Sequence, residues 1–343
     1  MFILAVGLLS IASLLPVGGY QVQKAMIDDR KSTVGQNAFH EFRTRGMANA
    51  ENWVGMPAMP VGQTFPKPVS VAIDPLVFTS PLVGGQVSRQ FPRPTSTSAA
   101  AAPRMPRIGL KFVSHQNPLM AHQIAQQIFM ARDDTVYEKH PTDPDASAVS
   151  KWELDDNERP VRRQFEGNFS WLATLTPAYF DITPRGPWVW PTEYHLSIVI
   201  FFKRNLNSLV NDDGVAVERQ VAVSPNAVHL AGFGLGGGEL FVRGTQADTA
   251  VRPGTWVMLC GYYGNRPDGL PVFRWYRVVS AGEYEANTNQ RPITLAGPDW
   301  IGVTNQTDPS QWLCKPTHVA IFEGAVGVFE KTVHLEGPSV WAN

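Results

Sequence analysis

MFILAVGLLSIASLLPVGGYQVQKAMIDDRK, residues 1–31, is the stretch on which the reading of the fold turns. Met1 to Val17 carries no charge, and its only polar side chains are Ser10 and Ser13. Seventeen such residues reach roughly 25 Å as a helix, the short edge of a bilayer span. A cleaved secretory signal begins with a basic region and ends at a small-x-small site. Here no Lys or Arg precedes the apolar run; the first, Lys24, follows it, and no cysteine lies near enough for a lipoprotein signal. From Tyr20 to about Arg45 there is no proline, and Ile27, Val34, Ala38 and Phe42 recur on one helical face. The spacing predicts one long helix, apolar at first and amphipathic afterwards. Pro16 and Gly18-Gly19 are expected to kink or loosen it.

Downstream the character changes twice. Between Trp53 and Pro106 lie ten prolines and the low-complexity stretch RPTSTSAAAAPR, 93–104. No helical or strand period survives there, so this part reads as an extended connection, packed around AIDPLVF and disordered near Ser96–Ala102. A short helix is predicted over Pro118–Ala131, where Met120, Ile124, Ile128 and Phe129 keep helical spacing. Beyond Arg163 the pattern becomes β. Phe169, Trp171, Ala173 and Leu175 alternate with Ser170, Leu172, Thr174 and Thr176. YHLSIVIFFKR, 194–204, is apolar on both faces in its middle. Further strands are predicted at 219–223, 239–243, 255–263, 272–280, 318–323 and 326–335, with a hairpin connection at Asn265–Pro271 around Asp268-Gly269. The fold class expected is α+β, with a long N-terminal hydrophobic helix, a Pro-rich connection and a β-rich, mainly antiparallel C-terminal domain. The corresponding division is 1–45, 46–106 and 107–343.

Composition narrows the function classes. Net charge is −1 over 343 residues with an isoelectric point near 6.7, so no basic footprint for nucleic acid is expected. Two cysteines, Cys260 and Cys314, exclude a multi-cysteine zinc module; they are either bridged in an exported domain or two buried thiols. GFGLGGGEL, 232–240, contains G-x-G-x-x-G, but ELFVRG after it reads as a strand. A dinucleotide site needs a helix there, so a flexible inter-strand loop is the preferred reading.

The acidic doublets Asp133-Asp134, Asp155-Asp156 and Asp212-Asp213 lack the ligand alternation of a calcium loop and read as solvated turns. Eight histidines fall at no metal-ligand spacing; His195 and His334 lie within predicted strands as structural residues. Among the aromatics, PRGPWVWP, 184–191, is the best candidate for an exposed face, while Trp275, Tyr276, Tyr262 and Tyr263 are expected mainly in the core. No G-x-S-x-G elbow occurs. The expectation is a protein that is not an enzyme, with no cofactor, no metal and no nucleic-acid partner.

The first 45 residues, and MFILAVGLLSIASLLPVGGYQVQKA above all, resemble the N-terminal helix of type IV prepilins and pseudopilins, especially the minor-pilin kind. Weaker likeness to large pilin-like proteins of planctomycete-type bacteria runs through IDDRK (27–31), AIDPL (72–76), IFMARDD (128–134), GNFSWLATLTP (167–177) and VGVFEKTVHLEG (326–337). That family carries a glycine–phenylalanine cleavage site and an early glutamate; neither stands in this sequence, and both would fall upstream of Met1. Processing and N-methylation are therefore not carried over.

The resemblance implies a structural or assembly subunit of a type IV pilus-like or type II secretion-like system. Its membrane and assembly helix would use Phe2, Ile3, Leu4, Val6, Leu8, Leu9, Ile11, Leu14, Leu15 and Pro16. It would be a single-pass protein of the inner membrane, with its C-terminal domain periplasmic or extracellular, and its partners would be other pilin-like subunits. The alternative is a membrane-tethered envelope binding protein that does not polymerise.

Overall fold

A computed structural model describes residues 2–54, 70–76, 90–93, 102–113, 118–131, 137–138, 149–154, 160–163, 168–178, 193–204, 216–226, 230, 232–263, 270–303, 307–308, 310 and 312–335. Helix α1 runs from Phe2 to Thr44, continuous through Pro16 and Gly18-Gly19. It ends in a Schellman motif. Gly46 takes φ 58°, its N–H donates to the Arg43 carbonyl at 3.1 Å, and Met47 N–H donates to the Phe42 carbonyl at 3.0 Å. The left-handed turn suits glycine and satisfies carbonyls that the helix leaves open.

Strands follow: β1 (Trp53–Val54), β2 (Val71–Ile73), β3 (Gln90–Phe91) and β4 (Met105–Leu110). Helix α2 is Pro118–Phe129. Two small ribbons come next: β5 (Tyr137–Glu138) with β6 (Val149–Ser150), and β7 (Trp152–Leu154) with β8 (Pro160–Arg163). The long strands are β9 (Phe169–Pro177), β10 (Glu193–Phe202), β11 (Glu218–Val223), β12 (Gly237–Arg243), β13 (Trp256–Tyr263), β14 (Leu270–Ala281), β15 (Gln290–Ala296), β16 (Cys314–Phe322) and β17 (Ala325–His334).

These strands make two main bodies. A seven-stranded sheet has the order β1-β4-β2-β9-β10-β17, with β3 beside β4. Its pairs are antiparallel except β2 with β4, which is parallel. The second body is a closed six-stranded barrel, β11-β12-β15-β14-β13-β16.

Strand alternation explains how the bodies stack. On β9 and β10, Trp171, Ala173, Leu175, Leu196, Ile198 and Ile200 face the helices α1 and α2. Leu172, Val199 and Phe201 face the other way, onto Met258, Phe273, Trp275, Ala320 and Phe322 of the barrel wall. The sheet is thus the middle layer, and this is why YHLSIVIFF is apolar on both faces: neither face meets water. On the wall strands the opposite parity, with Val257, Leu259, Val272, Tyr276, Val319 and Ile321, fills the barrel interior. Trp275 fastens the layers with its indole N–H, donating to Thr174 Oγ1 at 3.0 Å.

Three expectations are corrected. The α+β class gives way to a mainly β architecture built on a sheet and a closed barrel, with α1 and α2 laid on one face. Among the described residues, no helix is long and apolar enough to cross a membrane, which overturns the single-pass inner-membrane location and the transmembrane reading of Phe2–Pro16. The physical reason lies in the run itself. The apolar run ends at Val17, and Gly18-Gly19, Gln21, Gln23 and Lys24 follow. Within the Pro-rich connection at 46–106, Val71, Ala72 and Ile73 of β2 are fully buried between β4 and β9.

The predicted strands agree with β9 to β14, β16 and β17 in position, and β13 and β14 pair antiparallel as a hairpin requires; the connection at 264–269 lies outside the described residues. Strands β1 to β8 and β15 are not legible in the sequence pattern. The last contains Pro292, a residue that argues against a strand.

Candidate assembly surface

Helix α1 has two lengths that differ in burial. Along its C-terminal half, Val34, Ala38 and Phe42 are buried at successive turns, and Ile27 is partly buried against the same core. They pack on β9, β10 and β17. Glycine at position 35 permits the closest approach, since the ring of Phe329 on β17 lies directly over it.

Further toward the N-terminus the helix leaves the body. Val22 and Met26 are 62% and 61% exposed, and Gln21, Gln23, Lys24 and Ala25 around them are exposed too. Large apolar side chains on a solvated helix face are candidates for contact with another molecule. Phe2, Ile3, Leu4, Val6, Leu8, Leu9, Ile11, Leu14, Leu15 and Pro16 lie on this same helix; their side chains are outside the described residues.

Two clefts flank α1 where it meets the sheet. One, of about 260 Å³, lies between Asn37 and Glu41 of α1 and Ile128, Met130 and Trp171. The other, of about 650 Å³, lies between the last turns of α1 and the strands β10 and β17.

The densest chemistry sits elsewhere, in a buried ionic quartet at the joint between sheet and barrel. Asp74 follows β2, Arg107 is on β4, Arg204 follows β10 and Glu218 begins β11. All four are at most 8% exposed. Arg204 donates Nη1 to Asp74 Oδ1 at 3.1 Å, and Nη2 to Asp74 Oδ2 at 3.0 Å and to Glu218 Oε1 at 3.1 Å. Arg107 Nε lies 3.3 Å from Asp74 Oδ2, and its Nη2 donates to Glu218. Backbone N–H groups of Leu76 and Arg93 complete the carboxylates at 3.0 and 3.3 Å. Arg107 and Arg204 also lie over the rings of Phe91 and Phe201.

Burial pushes the Asp74 carboxyl up, but Arg204 and Arg107 outweigh it and hold the group below the usual carboxylate range. Two cations against two anions, closed to solvent, make a neutral clamp between the two bodies. Sequence reading missed it because its members are far apart, 130 positions between Asp74 and Arg204. The available signal was a charge inside or at the end of an apolar strand, as in MPRIGL and IVIFFKR.

The other candidates resolve as follows. Cys260 and Cys314 are free and buried, on neighbouring strands but on opposite sides of the barrel wall. Cys260 faces the sheet, whereas Cys314 faces the barrel interior. Of the two readings, a bridge or two buried thiols, the structure shows two separate thiols. Burial raises both, Cys314 to about 12.

The stretch 232–240 forms a loop that enters β12 at Gly237, where a phosphate cradle would need a helix. Gly237 has φ 109°, and a Cβ there would come 2.2 Å from the Leu295 carbonyl oxygen. His195 is a half-buried strand residue whose pKa burial and Arg274 lower to about 4. His334 is exposed at the end of β17. Trp275 and Tyr276 are core, while Tyr262 and Tyr263 are only partly buried. The three acidic doublets and PRGPWVWP lie outside the described residues. Among the described residues, no cluster of His, Cys, Asp and Glu could hold a metal ion. In comparisons with known proteins, the chain matches no family model and no curated protein.

Proposed function

We propose that this chain is a structural subunit of a type IV pilus-like or type II secretion-like assembly, joined to other pilin-like subunits through helix α1. The observation that carries the reading is the division of α1 at about Ile27. One half is spent on holding the sheet, and the preceding part presents Val22 and Met26 to solvent. A helix that runs beyond its own core gains by burying apolar side chains against neighbours, at about 25 cal/mol per Å² of apolar surface removed from water.

In this mechanism the sheet and barrel are a rigid head, the ionic quartet keeps the two bodies in register, and α1 carries the subunit contacts. Sedimentation of the full chain, paired with cross-linking in its own cells, tests the reading. The native chain is expected to self-associate with rising concentration and to give cross-linked ladders. The variant Val22→Asp/Met26→Asp should keep its β signature and sediment as a monomer. A native chain that stays monomeric and gives no ladders refutes the proposal.

A further inference from the structure

The larger cleft beside α1 has the features of a recognition site. Its floor is apolar, with Phe42 and Leu196 buried and Phe39 and Val333 partly so. Its rim is cationic, with Arg43 at the end of α1, Lys331 on β17, and His40 and His334 beside them. Among the described residues, no carboxylate lines it. Glu193 lies 3.8 Å from His334. At about 650 Å³ it falls within the range of formed binding clefts.

The cleft also runs along an open sheet edge. Strand β17 pairs with β10 on one side and ends the strand order of the sheet among the described residues. Four consecutive residues of it, Lys331, Thr332, Val333 and His334, line the cleft. Of these Lys331, Thr332 and His334 are exposed. An unpaired edge is a template for an added strand. A cation on it repels a basic edge and selects an acidic one.

We propose that this cleft binds an extended acidic peptide segment of a partner protein. The segment adds as a strand to β17 and seats an apolar side chain on Phe39 and Val333. Its carboxylates meet Lys331 and Arg43. This surface is separate from Val22 and Met26 on α1, so the proposal stands or falls independently of assembly through that helix.

The test is fluorescence anisotropy on the full chain with two labelled peptides of the same length. One alternates Val with Glu and the other alternates Val with Lys. The acidic peptide should bind at least about tenfold more tightly than the basic one, with affinity falling as salt rises. Lys331→Glu/Arg43→Glu should reverse the order of the two, whereas Arg252→Glu, on an exposed loop away from the cleft, should leave it unchanged. Equal binding of both peptides by the native chain overturns the proposal, as does failure of both to bind. Binding of labelled oleate without either peptide also overturns it, in favour of a small amphiphile.

Discussion

Gly35 of α1 lies against the ring of Phe329 on β17, so closely that a Cβ built on the glycine would fall 2.6 Å from two ring carbons. The helix therefore approaches the sheet by omitting a side chain at the point of crossing. The half-buried Phe329 ring fills the space.

Gly35→Ala brings two opposed effects. Alanine favours the helix by roughly 1 kcal/mol, while forcing a methyl into a filled contact costs about 1–3 kcal/mol. The ring is held between α1 and the sheet, so overpacking should win and urea unfolding should show a net loss of stability. Phe329→Leu in the same chain should recover most of that loss. Additive losses in the double variant would show that the ring is not what excludes the methyl.

Arg107→Met should lower the urea midpoint of unfolding sharply. It leaves Asp74 and Glu218 buried with Arg204 as their shared cation, and breaking a buried pair from one side costs about 3–5 kcal/mol. The pH dependence has a definite sign. Asp74 titrates below its ordinary value when folded, so its contribution is complete above the unfolded carboxylate pKa of about 4. That contribution is lost as pH falls through the folded value. Asp74→Asn should therefore flatten the acid limb of a stability-versus-pH curve, and an unchanged acid limb would remove Asp74 from the account.

Thiol chemistry checks the placement of the two cysteines. Both are buried, and burial raises Cys260 and takes Cys314 to about 12, so little thiolate forms at neutral pH. The native protein should react negligibly with an aromatic disulfide reagent and should release two equivalents on unfolding without reductant. No release without reductant would mean a bridge, which the placement on opposite sides of the wall forbids.

Features whose signal is local are legible in the amino-acid order. Val34, Ala38 and Phe42 recur every four residues, so the docking face of α1 follows from helix geometry alone. The doubly apolar YHLSIVIFF told that a strand is covered on both faces without telling by what. Local apolarity alone does not make Phe2–Pro16 a membrane span, since among the described residues no helix is long and apolar enough to cross a membrane. In the proline-rich stretch no strand period is legible, although Val71–Ile73 within it pairs on both sides in the sheet.

The closure of the barrel, the stacking of barrel on sheet, the meeting of Asp74, Arg107, Arg204 and Glu218, and the separation of Cys260 from Cys314 emerge only in the folded chain. Each depends on pairing between strands distant in the chain. Which face a side chain takes is set by register and closure, and a shift of one residue inverts it.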